Sequence, residues 1–95
     1  MNLRTLREPK EFGIKLTKTY GKSKLGIDVD LTDGFGLLID QVNEGLIRDW
    51  NQVHPELAVL RGDRIIAVNG VNGHSNEISE VCKSQAVLEI IVQRG

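Results

Sequence analysis

Two stretches of strict period-two alternation most constrain what this chain can fold into. The apolar positions of the first stretch are Phe12, Ile14 and Leu16, and those of the second are Leu25, Ile27, Val29 and Leu31. Because successive side chains of a strand point to opposite faces, this period predicts two half-buried β-strands. The Asp33-Gly34 pair signals a tight turn, so the second strand should form a hairpin with a third strand at roughly 37–42.

The next segment changes to helical spacing. Its apolar positions are Leu46, Ile47, Trp50 and Val53. Intervals of three and four residues place them on one face of a helix, which we expect to begin at an N-cap, Asn43, and to close at Pro55. Trp50 is interpreted as the residue that anchors this helix on the core, because aromatic side chains bury large areas.

Three more strands are predicted in the second half of the chain. The apolar run 65–68 is typical of a strand buried on both faces. Asn69-Gly70 then predicts a tight turn into a short strand at Val71. The last strand is expected at 87–92, and the residues on its buried face should be Leu88, Ile90 and Val92.

A second, shorter helix is predicted over residues 75–84, with Ser75 or Asn76 as its cap. Strands dominate, the turns are short, and two helices interrupt the strand order. We therefore predict a mainly β fold of the α+β class: a partly open, five- to six-stranded antiparallel barrel or sandwich capped by two α-helices. Residues 1–10 are interpreted as a lead-in and residues 11–95 as one domain.

Charge and composition exclude several functions. The net charge of −1, from 12 basic and 13 acidic side chains, provides no field that would attract nucleic acid. Two histidines, one cysteine and no paired ligand motif argue against a metal site, and no cofactor is expected. The apolar runs are too short for a transmembrane helix, and no signal peptide is predicted.

The single cysteine, Cys82, excludes an intramolecular disulfide and fits a reducing compartment. We therefore expect a cytoplasmic location, or the inner face of a membrane reached through a partner. Cys82 lies in the middle of the predicted second helix, where a packed thiol is the default. Ser75 and His74 are adjacent in sequence, which rarely gives the geometry of a nucleophile and its base. We expect no enzymatic activity.

The segment from Leu60 to Val71 resembles a motif of the PDZ domain family, in which leucine-x-glycine-aspartate-x-isoleucine runs into valine-asparagine-glycine. The physical needs of this motif are clear. Gly62 permits a backbone turn that is closed to larger residues, and Asp63 can accept backbone N–H bonds within that turn. Asn69-Gly70 supplies the positive φ angles of a hairpin.

Another match lies at Lys24-Leu25-Gly26-Ile27, which is similar to the family's carboxylate-binding loop, glycine-hydrophobe-glycine-hydrophobe, with Lys24 in place of the first glycine. The resemblance spans about residues 11–94. The chain departs from the family pattern in both helices. We expect the first helix to be elongated, with an insertion over residues 51–59, and the helix at 75–84 to be shortened.

The resemblance implies a protein–protein interaction module that binds the C-terminal peptide of a partner by β-strand addition between the second strand and the second helix. It also implies a site. The carboxylate-binding loop would be Lys24, Leu25, Gly26 and Ile27. The peptide groove would be formed by Asp28, Val29, Ser75, Ile78, Ser79 and Cys82.

More detailed predictions concern Gly26 and the first position of the second helix. The missing Cβ of Gly26 should let the ligand approach the backbone closely, so that tryptophan there would block the site without touching the core. In the family, a histidine at the first position of the second helix selects serine or threonine in the ligand. Alignment with the family motif places Ser75 at that position and His74 one place before it, which argues against that preference.

Two other functions stay open at this point. The shortened helix also fits a degenerate PDZ-like fold that serves as a scaffold or self-associates weakly through a sheet edge. A third hypothesis is a regulatory domain of a larger enzyme, such as a serine protease with an appended PDZ-like domain.

Overall fold

A computed structural model of the chain describes residues 10–95. Its six strands are β1 (Glu11–Thr17), β2 (Ile27–Asp30), β3 (Leu37–Val42), β4 (Arg64–Val68), β5 (Val71–Asn72) and β6 (Val87–Gln93). Its helices are α1 (Leu46–Val53), a 3-10 turn (Pro55–Leu57) and α2 (Ser75–Ser84). This order is the predicted one, with the 3-10 turn added. Most of the predicted lead-in, residues 1–9, lies outside the described residues.

The strands form one antiparallel sheet in the order β1-β6-β4-β3-β2, with β5 paired to β4. The ends of this order, β1 and β2, are not paired with each other, so the sheet is open. The predicted α+β class and partly open architecture are confirmed. The hairpin of β2 and β3 is also as predicted, with a bulge beside Asp28 and Val29.

The core lies between the inner face of the sheet and the two helices. The alternation of β1 is matched by β6, because Phe12, Ile14 and Leu16 lie opposite Val92, Ile90 and Leu88 in the ladder, and all six are buried. Ile47 of α1 and Ile78 of α2 close the other side and are fully buried. Each such aliphatic side chain contributes roughly 1.5–3 kcal/mol through its burial.

The turn between β4 and β5 has the predicted conformation. Asn69 and Gly70 have φ angles of 52° and 81°, as a tight hairpin turn of this kind requires. The Asn69 side chain also ties the turn to β6: its Nδ2 donates to the carbonyl of Val87 at 3.0 Å, and its Oδ1 accepts from the Glu89 amide at 2.8 Å.

Asn69→Ala should therefore destabilise the fold by about 2 kcal/mol, because alanine tolerates positive φ poorly and both cross-strand hydrogen bonds are lost. Asn72→Ala is the matched control, since Asn72 is exposed and its side chain makes no hydrogen bond with residues 10–95. Urea unfolding of both variants measures the difference. Equal midpoints for the two would contradict this role of Asn69.

The predicted helix caps are wrong. The Asn43 side chain does not cap α1, which begins after Gly45; its Nδ2 donates to Asp28 Oδ2 at 3.2 Å. Neither Ser75 nor Asn76 caps α2 with its side chain, and the Ser75 hydroxyl donates to the Gly36 carbonyl at 2.6 Å. The bounds of α2, Ser75–Ser84, are as predicted, but the expectation that it is the shorter helix is wrong, since α2 has ten residues and α1 has eight.

Burial corrects one further prediction. In β4 only Ile65 and Val68 are buried, whereas Ile66 and Ala67 are half-buried, so the strand is not buried on both faces. Trp50 is half-buried and packs against the core, as predicted, and its Nε1 donates to the Leu57 carbonyl at 3.0 Å. It therefore fixes the 3-10 turn against α1.

Within residues 10–95, neither helix combines the length and apolarity needed to cross a membrane.

Candidate functional site

A cleft of about 460 Å³ lies between β2 and α2. Its strand side is apolar, its helix side is mixed, and lysines stand at one end. The lining residues are Lys18, Ser23, Lys24, Leu25, Ile27, Val29, Leu37, Ser79, Cys82 and Lys83. A concave apolar site with a few convergent polar groups is a typical ligand-binding site.

The edge of β2 is open along this cleft. β2 ends the sheet order, so only its β3 side is paired. The Asn43 amide donates to the Gly26 carbonyl at 2.7 Å, and this bond lies beside the pair formed by Ile27 and Val42. Ile27 and Val42 are therefore a non-hydrogen-bonded pair of the ladder. The N–H and C=O of Ile27 therefore point away from β3, and by alternation those of Val29 do as well. The strand presents unpaired backbone groups on the side of α2.

The loop before β2 is held from behind by α1. The carbonyls of Lys24 and Leu25 accept from the amides of Leu46 and Ile47 at 2.9 and 3.2 Å. These carbonyls satisfy the first N–H groups of the helix, which explains why no side-chain cap is needed. The Gly26 carbonyl is occupied in the same way by Asn43.

This arrangement fixes the direction of three successive amides. In a trans peptide the N–H points opposite to the carbonyl of the same unit, and the chain contains no cis peptide among the described residues. The N–H groups of Leu25 and Gly26 therefore point away from α1, and that of Ile27 points away from Asn43. Those of Leu25 and Gly26 donate no hydrogen bond to residues 10–95. Convergent free amides of this kind form an anion-binding concavity.

Gly26 has a structural role that the sequence did not reveal. Its φ is 77°, and a Cβ there would lie 2.7 Å from the carbonyl carbon of Glu44 and 2.9 Å from Gly45 Cα. The close approach that requires glycine here is thus between two segments of this chain. Tryptophan at Gly26 would disturb the fold, so the expectation that it blocks the site alone is wrong.

The structure brings most of the predicted site residues together. Those that line the cleft are Lys24, Leu25, Ile27, Val29, Ser79 and Cys82. Gly26 lies within the loop but does not line the cleft. Ser75 and Ile78 are buried, Asp28 is exposed on the opposite face of β2, and His74 is exposed next to Phe35. Ile78 lies on the same helix face as Ser75 and Cys82 and points into the core. Ser79 is the next residue along the helix and therefore lies on a different face.

Four lining residues were not predicted from the sequence: Lys18, Ser23, Leu37 and Lys83. Lys18 is the most informative of them, since its Nζ donates to the carbonyls of Cys82 and Lys83 at 2.5 and 3.3 Å. A cation at the last carbonyls of a helix is favourable, so Lys18 fixes the C-terminal end of α2 against β1.

The lysines near the cleft differ in their availability. Lys22 forms an ion pair with Asp49 at 2.6 Å, and this hydrogen bond raises the pKa of Lys22. Lys24 and Lys83, both exposed, form no ion pair with the described residues. The lysine end of the cleft is therefore electropositive.

The cleft shows no sign of nucleophilic or metal chemistry. Burial raises the pKa of the Cys82 thiol, an effect that nearby Lys18 only partly opposes. A thiol with a raised pKa holds little thiolate at neutral pH and is a poor nucleophile. Over residues 10–95, no three His, Cys, Asp or Glu side chains are grouped so as to hold a metal ion.

No protein-family model matches the chain, and a comparison with curated proteins found no match. Solved structures are similar. The PDZ domain from choanoflagellate GIPC has a TM-score of 0.67 at 17% identity, covering 92% of this chain and 92% of that one. The same domain bound to a GAIP peptide has a TM-score of 0.66 at 19% identity, with the same coverages. The dmPar3 PDZ1 domain in complex with the dmPar6 PBM has a TM-score of 0.63 at 24% identity, covering 90% of this chain and 97% of that one.

Proposed function

We propose that this chain, which has the PDZ fold, is a protein–protein interaction module that captures the C-terminal tail of a partner in the cleft between β2 and α2. The observation that carries the proposal is the set of aligned amides at Leu25, Gly26 and Ile27, held by the start of α1 and by Asn43 at the end of an open strand edge. Of the solved domains with the same fold, one is bound to a GAIP peptide and another is in complex with the dmPar6 PBM, which supports this use of the fold.

The aligned amides suit a terminal carboxylate. A carboxylate accepts several hydrogen bonds, and bonds to a charged acceptor are roughly twice as strong as neutral ones. The positive end of α1 lies behind the same loop and favours an anion. The exposed Lys24 and Lys83 add a long-range attraction that salt screens.

The strand edge suits the tail's backbone. A tail running antiparallel to β2 pairs with the outward N–H and C=O groups of Ile27 and Val29. Its alternate side chains then enter the cleft, where Leu25, Ile27 and Val29 lie on the strand side and Cys82 on the helix side. The last side chain of the tail should therefore be apolar.

The affinity should be moderate. Apolar burial in the cleft contributes at about 25 cal/mol per Å², a few kcal/mol in all. Ordering a flexible tail offsets much of this gain. We expect dissociation constants in the micromolar range, on the order of 1–100 μM.

A matched pair of tail peptides tests the function. A library of C-terminal peptides first selects a tail, which is then synthesised once with a free carboxylate and once as the amide. We expect amidation to weaken binding about tenfold or more, since the neutral amide loses the charge-assisted hydrogen bonds. Fluorescence polarisation with N-terminally labelled peptides measures both dissociation constants.

Equal binding of the two peptides would show that the loop does not read the carboxylate. A chain that binds no tail, but whose mass in sedimentation rises with concentration, would use the β2 edge for self-association instead.

A further inference from the structure

The outer face of β2, opposite the cleft, carries two exposed carboxylates. Asp28 and Asp30 form no ion pair with residues 10–95. Their hydrogen-bond donors are neutral: Asn43 Nδ2 donates to Asp28 at 3.2 Å, and the Thr32 amide and hydroxyl donate to Asp30 at 2.9 and 2.5 Å. These bonds from Thr32 hold the pKa of Asp30 below its usual range.

A cation on this face, Arg64, is already engaged. Arg64 lies in the same row across the sheet, because Asp30 is opposite Leu38 and Leu38 is opposite Arg64. Its guanidinium binds Asp33 at 2.9 and 3.2 Å and also donates to the Phe35 carbonyl. Asp40 of β3 is exposed as well. The face beside the open edge is therefore acidic.

An added strand would place alternate residues against this face. Ile27 and Val29 direct their backbone groups toward the open edge, so the tail residues opposite them point their side chains into the cleft. The tail residues opposite Asp28 and Asp30 must then point to the outer face, since successive strand side chains alternate. Directly opposed side chains have Cβ atoms about 4.5–5.5 Å apart.

We infer that Asp28 and Asp30 are specificity-determining residues that select tails with Lys or Arg at the next-to-last and fourth-from-last positions. This inference rests on the proposed function and adds a ligand class to it. The last residue, with its carboxylate in the loop, lies opposite Ile27. The next-to-last residue then lies opposite Asp28, and the fourth-from-last lies opposite Asp30. Opposite charges stabilise such cross-strand pairs, and like charges destabilise them.

Three peptides with free carboxylates test the inference. They end in Lys-Ala-Lys-Val, Ala-Ala-Ala-Val and Glu-Ala-Glu-Val and are otherwise identical. We expect the Lys tail to bind about tenfold more tightly than the Glu tail, with the Ala tail between them. Raising the salt to about 0.5 M should reduce this ratio, because the pairs are exposed.

Protein variants locate the effect. The double variant Asp28→Asn and Asp30→Asn keeps the acceptors for Asn43 and Thr32 and should bring the Lys-to-Glu ratio close to one. The control double variant Glu11→Gln and Glu89→Gln removes the same charge from exposed positions of β1 and β6 and should leave the ratio unchanged.

The outcomes separate the two ideas. If all three tails bind equally to the parent chain, and amidation still weakens them, the selectivity is overturned while tail capture stands. An unchanged ratio in the Asp28 and Asp30 double variant would also overturn the selectivity. If none of the tails binds at any salt concentration, both proposals fail.

Discussion

Gly26→Ala is expected to destabilise the domain by about 2–5 kcal/mol, a large part of the roughly 5–15 kcal/mol that holds a typical domain folded. Two costs add at this position. The φ of 77° costs an alanine about 1–2 kcal/mol. The new Cβ would also collide with the backbone of Glu44 and Gly45, and such overpacking costs about 1–3 kcal/mol more. Denaturant unfolding measures the loss.

Gly21→Ala is the matched control for this variant. Gly21 has nearly the same φ, 83°, but a Cβ there would meet nothing within 4 Å. It should therefore lose only the conformational part, about 1–2 kcal/mol. If the two variants unfold at the same denaturant concentration, the contact between the loop and the start of α1 is not the reason for glycine at position 26.

Ser79→Trp is expected to weaken tail binding roughly a hundredfold or more, about 2.7 kcal/mol, while the fold is retained. Ser79 is half-buried and lines the cleft from α2, opposite the apolar side chains of β2. An indole there would occupy the space that the tail's last side chain needs. Titration with the selected tail measures the loss, and circular dichroism with thermal unfolding checks the fold.

The control places the same side chain on the same helix, away from the cleft. Glu80 is exposed and lies outside the cleft lining, so Glu80→Trp should bind the tail as the parent does. Full binding by the Ser79 variant would place the tail elsewhere on the molecule.

The strands were predictable from sequence because each buries one face. The alternation of Phe12, Ile14 and Leu16 leaves no freedom of register, since a one-residue slip would expose all three. The turn at Asn69-Gly70 was predictable for a similar reason, because few residue pairs tolerate its φ angles. These local requirements, together with the motif resemblance, were enough to predict the α+β class and the open sheet.

What sequence could not predict depends on contacts between distant segments. α1 has no side-chain cap because backbone carbonyls of Lys24 and Leu25 occupy its first amides, and no local pattern near Asn43 reports this. Lys18 reaches α2 across more than sixty positions of sequence. In α2 the apolar stripe identified the helix face that packs on the core. Consecutive helical residues differ in direction by about 100°, so the stripe alone did not show that Ser79, and not Ile78, lines the cleft.

The bond pattern behind the loop implies that the proposed binding loop is already formed before a ligand arrives. Because the amides of Leu46, Ile47 and Asn43 already orient its three peptide units, the loop should lose little freedom when a ligand arrives, and its backbone should move by less than about 1 Å. The affinity for a tail would then depend on contacts that the tail never makes, because a shift of the start of α1 would move the amides of Leu25 and Gly26.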